Sequence, residues 1–88
     1  MKIKGEFILR QIAGDNILVP VGETALASNG LITLDPVGLE IWQGAEQGLG
    51  RGEILQRVLD RFDVDAKTAE EDMNAFLEQL RAAGLLEE

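Results

Sequence analysis

The first third of the chain sets short apolar runs between turn residues. Glu6 to Ala13 (EFILRQIA) holds Phe7, Ile8, Leu9 and Ile12, and Ile17 to Val21 (ILVPV) follows the turn residues Gly14-Asp15-Asn16. Two β-rich runs around a three-residue turn containing glycine predict a hairpin. Pro20 has no N–H to donate, which assigns it to a strand end or a sheet edge. Gly22 to Gly30 reads as a loop closed by the turn chemistry of Ser28-Asn29-Gly30. Leu31-Ile32-Thr33-Leu34 then predicts a third short strand.

At Asp35-Pro36 the apolar positions switch to the helical period. Aspartate suits an N-cap, and proline at the first helical position already holds a helical φ. A first helix is predicted from Pro36 to about Glu46, with Val37, Ile41 and Ala45 on one face and Trp42 beside them. The glycines of Gly48–Gly52 break it. A second helix, about Gly52 to Phe62, carries a broad stripe of Ile54, Leu55, Val58, Leu59 and Phe62. The third is capped by Asp65 or Thr68, the latter opening a capping box Thr68-Ala69-Glu70-Glu71. Ala69, Met73, Phe76, Leu77, Leu80 and Ala83 follow its period, and Gly84 stands where a left-handed C′ residue is wanted. Leu85 and Leu86 are expected to fold back onto its last turn. The expected fold class is α+β, a three-stranded antiparallel sheet followed by three helices (βββααα), as one domain over residues 1–88.

Composition narrows what such a fold can do. Sixteen acidic residues against eight basic ones give a net charge of −8, and the cations are scattered. A nucleic-acid binder draws most of its affinity from cations set against phosphates, so duplex binding is not expected. The chain has no His, Cys or Tyr, which removes the usual general base, the thiolate and the ordinary zinc ligands. Ser28 is the only serine and has no histidine to activate it. Glu70-Glu71-Asp72 and Glu87-Glu88 read as solvated helix and tail charges. Gly48-Leu49-Gly50-Arg51-Gly52 follows no strand and precedes no Lys-Ser/Thr, so it reads as a helix connection and not a phosphate loop. No catalytic site, metal or cofactor is expected. No apolar run is long enough to span a bilayer, and the amino terminus lacks a secretory signal, which fits a cytoplasmic location.

A small open sheet keeps two unpaired edges. An edge beside an apolar helix suits an extended guest peptide, whose backbone continues the sheet while alternate side chains enter the strand–helix cleft. The third strand, Leu31, Ile32, Thr33 and Leu34, is the candidate edge. Met73, Asn74, Leu77, Leu80 and Arg81 of the third helix are the candidate opposite wall. The plainer role of Met73, Phe76, Leu77 and Leu80 is core packing, and Leu31 and Leu34 can equally point inward.

Several segments together carry a family resemblance. Leu31 to Trp42 (LITLDPVGLEIW) resembles the strand-into-helix signature of the pyrroloquinoline quinone synthesis protein D (PqqD) family, roughly Leu-Asn-x-x-Gly-x-x-Ile-Trp. Asp35 stands for its frequent Asn and is an equivalent N-cap. Ala69 to Leu80 with Gly84-Leu85-Leu86 is similar to the family's last helix and its Gly-Leu-hydrophobic end. Glu53-Ile54 and Phe62-Asp63-Val64-Asp65 match the second helix and its exit. The resemblance implies a winged helix-turn-helix that recognises the leader of a ribosomally made precursor peptide. It further implies delivery of that peptide to a modifying enzyme, commonly a radical S-adenosylmethionine enzyme. By position it points to the same strand and helix residues as the peptide site.

Two other readings use the same architecture. A winged-helix regulator would set the third helix in the major groove, but that helix sets Lys67, Asn74, Gln79 and Arg81 against Glu70, Glu71, Asp72 and Glu78. A structural subunit docked on an enzyme would need no peptide of its own. Without a guest, the exposed third strand is expected to pair with itself in a homodimer.

Overall fold

The computed structural model describes residues 1–27 and 30–87. Its elements run β1 (Lys2–Ile3), β2 (Phe7–Ile12), β3 (Asp15–Pro20), α1 (Glu23–Ala27), β4 (Ile32–Leu34), α2 (Pro36–Glu46), α3 (Arg51–Arg61), α4 (Ala66–Ala82) and β5 (Leu86–Glu87). β2, β3 and β4 form an antiparallel sheet in that spatial order, and β1 pairs with β5 in a separate two-stranded ribbon. The expected α+β fold, with its three-stranded antiparallel sheet and helices, is present.

The hairpin turns more tightly than expected. Ile12 pairs with Asp15, so only Ala13 and Gly14 lie between the strands. Their φ angles of 53° and 85° are both positive, as a type I′ turn requires. That geometry matches the right-handed twist of the strands and draws Asp15 and Asn16 into β3. Pro20 ends β3 opposite Phe7, where its missing donor interrupts no ladder.

Register decides which side chains enter the core, because opposed residues share a face. Leu9, Leu18 and Ile32 lie in one row, and Asn16 opposes Leu34 two residues along. Leu18 and Leu34 are buried. Phe7, on the same face, meets the buried Trp42 of α2 edge-on, with ring centroids 5.3 Å apart and planes at 82°. Ile8, Ile12, Ile17 and Val19 take the opposite face, where Ile8 and Ile12 are exposed.

The three long helices keep their predicted stripes. Ile41, Trp42 and Ala45 of α2, Ile54 and Val58 of α3, and Ala69, Met73, Leu77 and Leu80 of α4 join Leu18, Leu34 and Leu86 in one core. Asp35 caps α2 by accepting from the Gly38 N–H at 2.6 Å. Asp65, not Thr68, caps α4, accepting from the Thr68 N–H at 2.7 Å. The helix therefore starts one turn before the expected box, and Thr68 is a donor within it. Gly84, at φ 78°, closes α4 in a Schellman motif, its N–H reaching the Arg81 carbonyl and that of Leu85 the Leu80 carbonyl.

Two features were not expected from the pattern, a short helix and a two-stranded ribbon. A five-residue helix, α1, occupies part of the Gly22–Gly30 loop. The expected turn at Ser28-Asn29 lies outside the described residues. Leu86 does fold back and is buried, and its segment also forms β5 on β1, extended by the Lys4 N–H to the Leu85 carbonyl at 2.8 Å. Two-residue strands have no periodicity to detect, which hides them from pattern reading.

Candidate functional site

β4 has β3 on one side, and among the described residues no strand pairs with its other side. A strand hydrogen-bonded on one edge only leaves alternate N–H and C=O groups pointing outward. Next to it lies a groove of ≈ 530 Å³ where β4, the first two turns of α2 and the middle of α4 meet. β4 and its exit supply Thr33, Leu34 and Asp35, α2 supplies Val37, Gly38 and Ile41, and α4 supplies Asp72, Ala75, Phe76 and Gln79.

Each wall follows from local rules. Asp35 must sit at the rim because its carboxylate caps α2. A Cβ on Gly38 would come within 3.1 Å of the Asp35 Oδ1 and 3.7 Å of the Leu34 Cδ2, so a side chain there would crowd both cap and groove. On α4 the groove residues 72, 75, 76 and 79 have the spacing i, i+3, i+4, i+7 of one helical face. Phe76 is half-buried, giving this face its apolar centre.

Of the strand residues expected in the site, Thr33 and Leu34 line the groove. Thr33 is exposed, Leu34 is buried on the inner face, Ile32 is half-buried and Leu31 is exposed just before the strand. The residues expected on the helical wall do not line this groove. Met73, Leu77 and Leu80 are between 0 and 2% exposed and belong to the core. Asn74 turns toward α3, where its Oδ1 accepts from the Arg51 Nη1 at 2.7 Å. Arg81 is exposed and donates through Nε to Glu78 at 2.8 Å, holding the Glu78 carboxyl below its usual range.

The physical reason is one helical step. Successive side chains are rotated by about 100°, so 72, 76 and 79 flank the buried stripe 73, 77 and 80 on one side, with 74 and 81 on the other. Periodicity locates the stripe and says nothing about which flank meets the sheet edge. The missed signal was Phe76 beside Ala75, an apolar widening of the stripe toward the lower-numbered flank.

Electrostatically the groove has one sign. Among the described residues its charged lining is Asp35 and Asp72, and no Lys or Arg lines it. Among the described residues no His, Cys, Asp or Glu cluster could hold a metal ion. No helix among them is long and apolar enough to cross a membrane. The site offers backbone partners, an apolar floor and a negative rim.

Comparison with known proteins bears on this arrangement. The model of the family described as coenzyme PQQ synthesis protein D (PqqD) matches residues 18–86, which include β4, α2 and α4. A solved structure of TbiB1 in complex with the TbiA(beta) leader peptide is similar with a TM-score of 0.74. The two chains are 30% identical, and the match covers 99% of this chain and 95% of that one. A search of the curated proteins finds no match.

Proposed function

The chain belongs to the PqqD family, and from that premise we propose that it binds the leader of a ribosomally made precursor peptide as a strand added to β4. The observation that carries this reading is the unpaired β4 edge beside a groove with a half-buried phenylalanine. Main-chain hydrogen bonds from the edge give affinity for an extended chain, and the groove sorts its alternate side chains. The similar TbiB1 structure, solved with a leader peptide, supports the same use of the fold.

In this reading the strand contacts come from Leu31, Ile32, Thr33 and Leu34. The helical contacts come from Asp72, Ala75, Phe76 and Gln79, while Met73, Leu77 and Leu80 hold that wall in place from behind. The hairpin and the three long helices form a winged helix-turn-helix domain put to peptide capture, not DNA reading, since α4 carries Glu70, Glu71, Asp72 and Glu78. The domain acts in the cytoplasm as an adaptor that hands the bound leader to a modifying enzyme of the radical S-adenosylmethionine class. With no guest, the same edge pairs with β4 of a second copy, giving a homodimer that leader peptide dissociates.

Titrating the isotope-labelled chain with the TbiA(beta) leader, and with leaders of candidate precursors, tests the reading through backbone amide shifts. Perturbations should concentrate at residues 31–35 and 72–79. Saturable binding whose shifts fall elsewhere, or no shift with any leader, would overturn it.

A further inference from the structure

We infer that the groove selects a guest strand carrying a lysine or arginine between apolar side chains, and that Asp72 is the residue that reads this cation. The inference rests on the strand-addition reading above and adds the chemistry of the guest. An added strand sends every second side chain toward the helices. Those side chains meet Leu34, Val37, Ile41 and Phe76 at the floor and Asp35 and Asp72 at the rim.

The two carboxylates differ in what they have left to offer. The Asp35 Oδ1 is committed to the Gly38 N–H at 2.6 Å, which fixes that side chain at the helix start. No described residue forms a hydrogen bond or ion pair with the Asp72 carboxylate, although it stands on a regular helix with Lys67 and Arg81 elsewhere along it. An acidic guest would meet two carboxylates and, among the described lining residues, no compensating cation. A basic guest side chain would lay its methylenes along Phe76 and bring its head to Asp72, as long cationic side chains do at apolar surfaces. The rim thus penalises one sign of charge and rewards the other.

The magnitude is bounded by exposure. Solvent-exposed ion pairs contribute about 0.2–1 kcal/mol, so one contact should favour a basic over a neutral residue by roughly 1.5- to 5-fold. Discrimination against an acidic residue adds repulsion to this, and salt should erase most of both.

The test is selection of a random twelve-residue peptide library on the immobilised full chain at low salt, run in parallel on Asp72→Lys and Ala75→Trp variants. Ala75 and Asp72 are exposed, so neither change disturbs the core, and the tryptophan fills the groove. The parent should enrich peptides with Lys or Arg at one position and apolar residues two places to either side. Asp72→Lys should enrich Asp or Glu at that position, and Ala75→Trp should abolish enrichment. Peptides that are lost on Ala75→Trp but carry the same charges on parent and Asp72→Lys would overturn the cation inference and leave strand addition standing. Enrichment that Ala75→Trp does not reduce would overturn strand addition at this groove, and this inference with it.

Discussion

Arg57 on α3 donates through Nε to the Oε1 of Glu40 on α2 at 2.9 Å, and that glutamate is 6% exposed. Arg61 reaches the other oxygen, Oε2, at 3.1 Å, and the Arg57 Nη1 donates to Gln47 at 2.9 Å. Both carboxylate oxygens are thus partnered where α2 meets α3. The two sides of the pair are unequal, because the arginine side chains are 25% and 59% exposed. Removing Arg57 leaves the buried carboxylate with only the more exposed Arg61, whereas removing the glutamate returns two cations to water. Arg57→Ala should therefore cost about 2–3 kcal/mol and Glu40→Gln about 1 kcal/mol, below the full buried-pair penalty because Arg57 is partly solvated. Urea unfolding of both variants decides it, and equal losses would show that the carboxylate has water enough of its own.

α2 and α3 also touch at Gly44. A Cβ built there would lie 2.8 Å from the Ile54 Cγ1, and Ile54 is fully buried. Alanine gains about 1 kcal/mol in helix propensity over glycine, but overpacking a fixed core costs about 1–3 kcal/mol. Gly44→Ala should be net destabilising by about 1 kcal/mol, and less so in an Ile54→Ala background, where the clashing atom is gone. Additive losses in the double variant would mean that the helices part to admit the methyl.

The hairpin turn holds a residue at odds with its conformation. Ala13 sits at φ 53°, a left-handed position that costs an L-residue with a Cβ about 1 kcal/mol or more. Ala13→Asn would create the Asn-Gly pair preferred in type I′ turns. It should raise stability by about 0.5–1 kcal/mol, measured as a higher unfolding midpoint at unchanged urea dependence.

What the sequence made legible followed from long periods and strong punctuation. α2 begins at Pro36 behind its Asp35 cap, and α4 ends on Gly84, because each boundary is written in a residue whose backbone chemistry leaves few choices. The hairpin length was misread because Gly14-Asp15-Asn16 are all turn formers, and only pairing of Ile12 with Asp15 decides which of them turn. The Glu40 brace links residues 17 and 21 positions apart, beyond any helical or strand period. Which flank of α4 lines the groove was not legible for a related reason. Sequence periodicity reports that Leu77 faces inward, but the approach of β4 to Phe76 is a tertiary fact.

The α4 cap makes one contribution to stability depend on pH. Hydrogen bonds from the Thr68 backbone N–H, and then from its hydroxyl, hold the Asp65 carboxyl below the usual aspartate value. A carboxylate whose folded value is depressed stabilises the fold fully above its unfolded value, and this is lost as pH falls through the folded one. Asp65→Ala should therefore lower the melting temperature at pH 7, with the gap to the parent closing as pH drops below about 4. A gap of constant size across that range would assign the cap's effect to something other than its charge.

Neighbouring residues on α4 should separate binding from folding. Leu77 is fully buried, so Leu77→Ala should cost about 3 kcal/mol, and a charge at Leu77 or Leu34 should unfold the chain before any binding can be read. Phe76 is half-buried with its ring in the groove. Phe76→Ala should cost about 2 kcal/mol of stability, less than Leu77→Ala, since the ring packs against the core but is not fully buried. Its effect on a bound leader should be roughly a tenfold loss of affinity, because an aromatic at the centre of a desolvated groove is the kind of residue on which binding energy concentrates. Calorimetric titration with leader peptide, at a temperature where both variants remain folded, gives the comparison. If Phe76→Ala binds leader like the parent while Leu77→Ala, still folded, does not, the peptide is meeting a different face of α4.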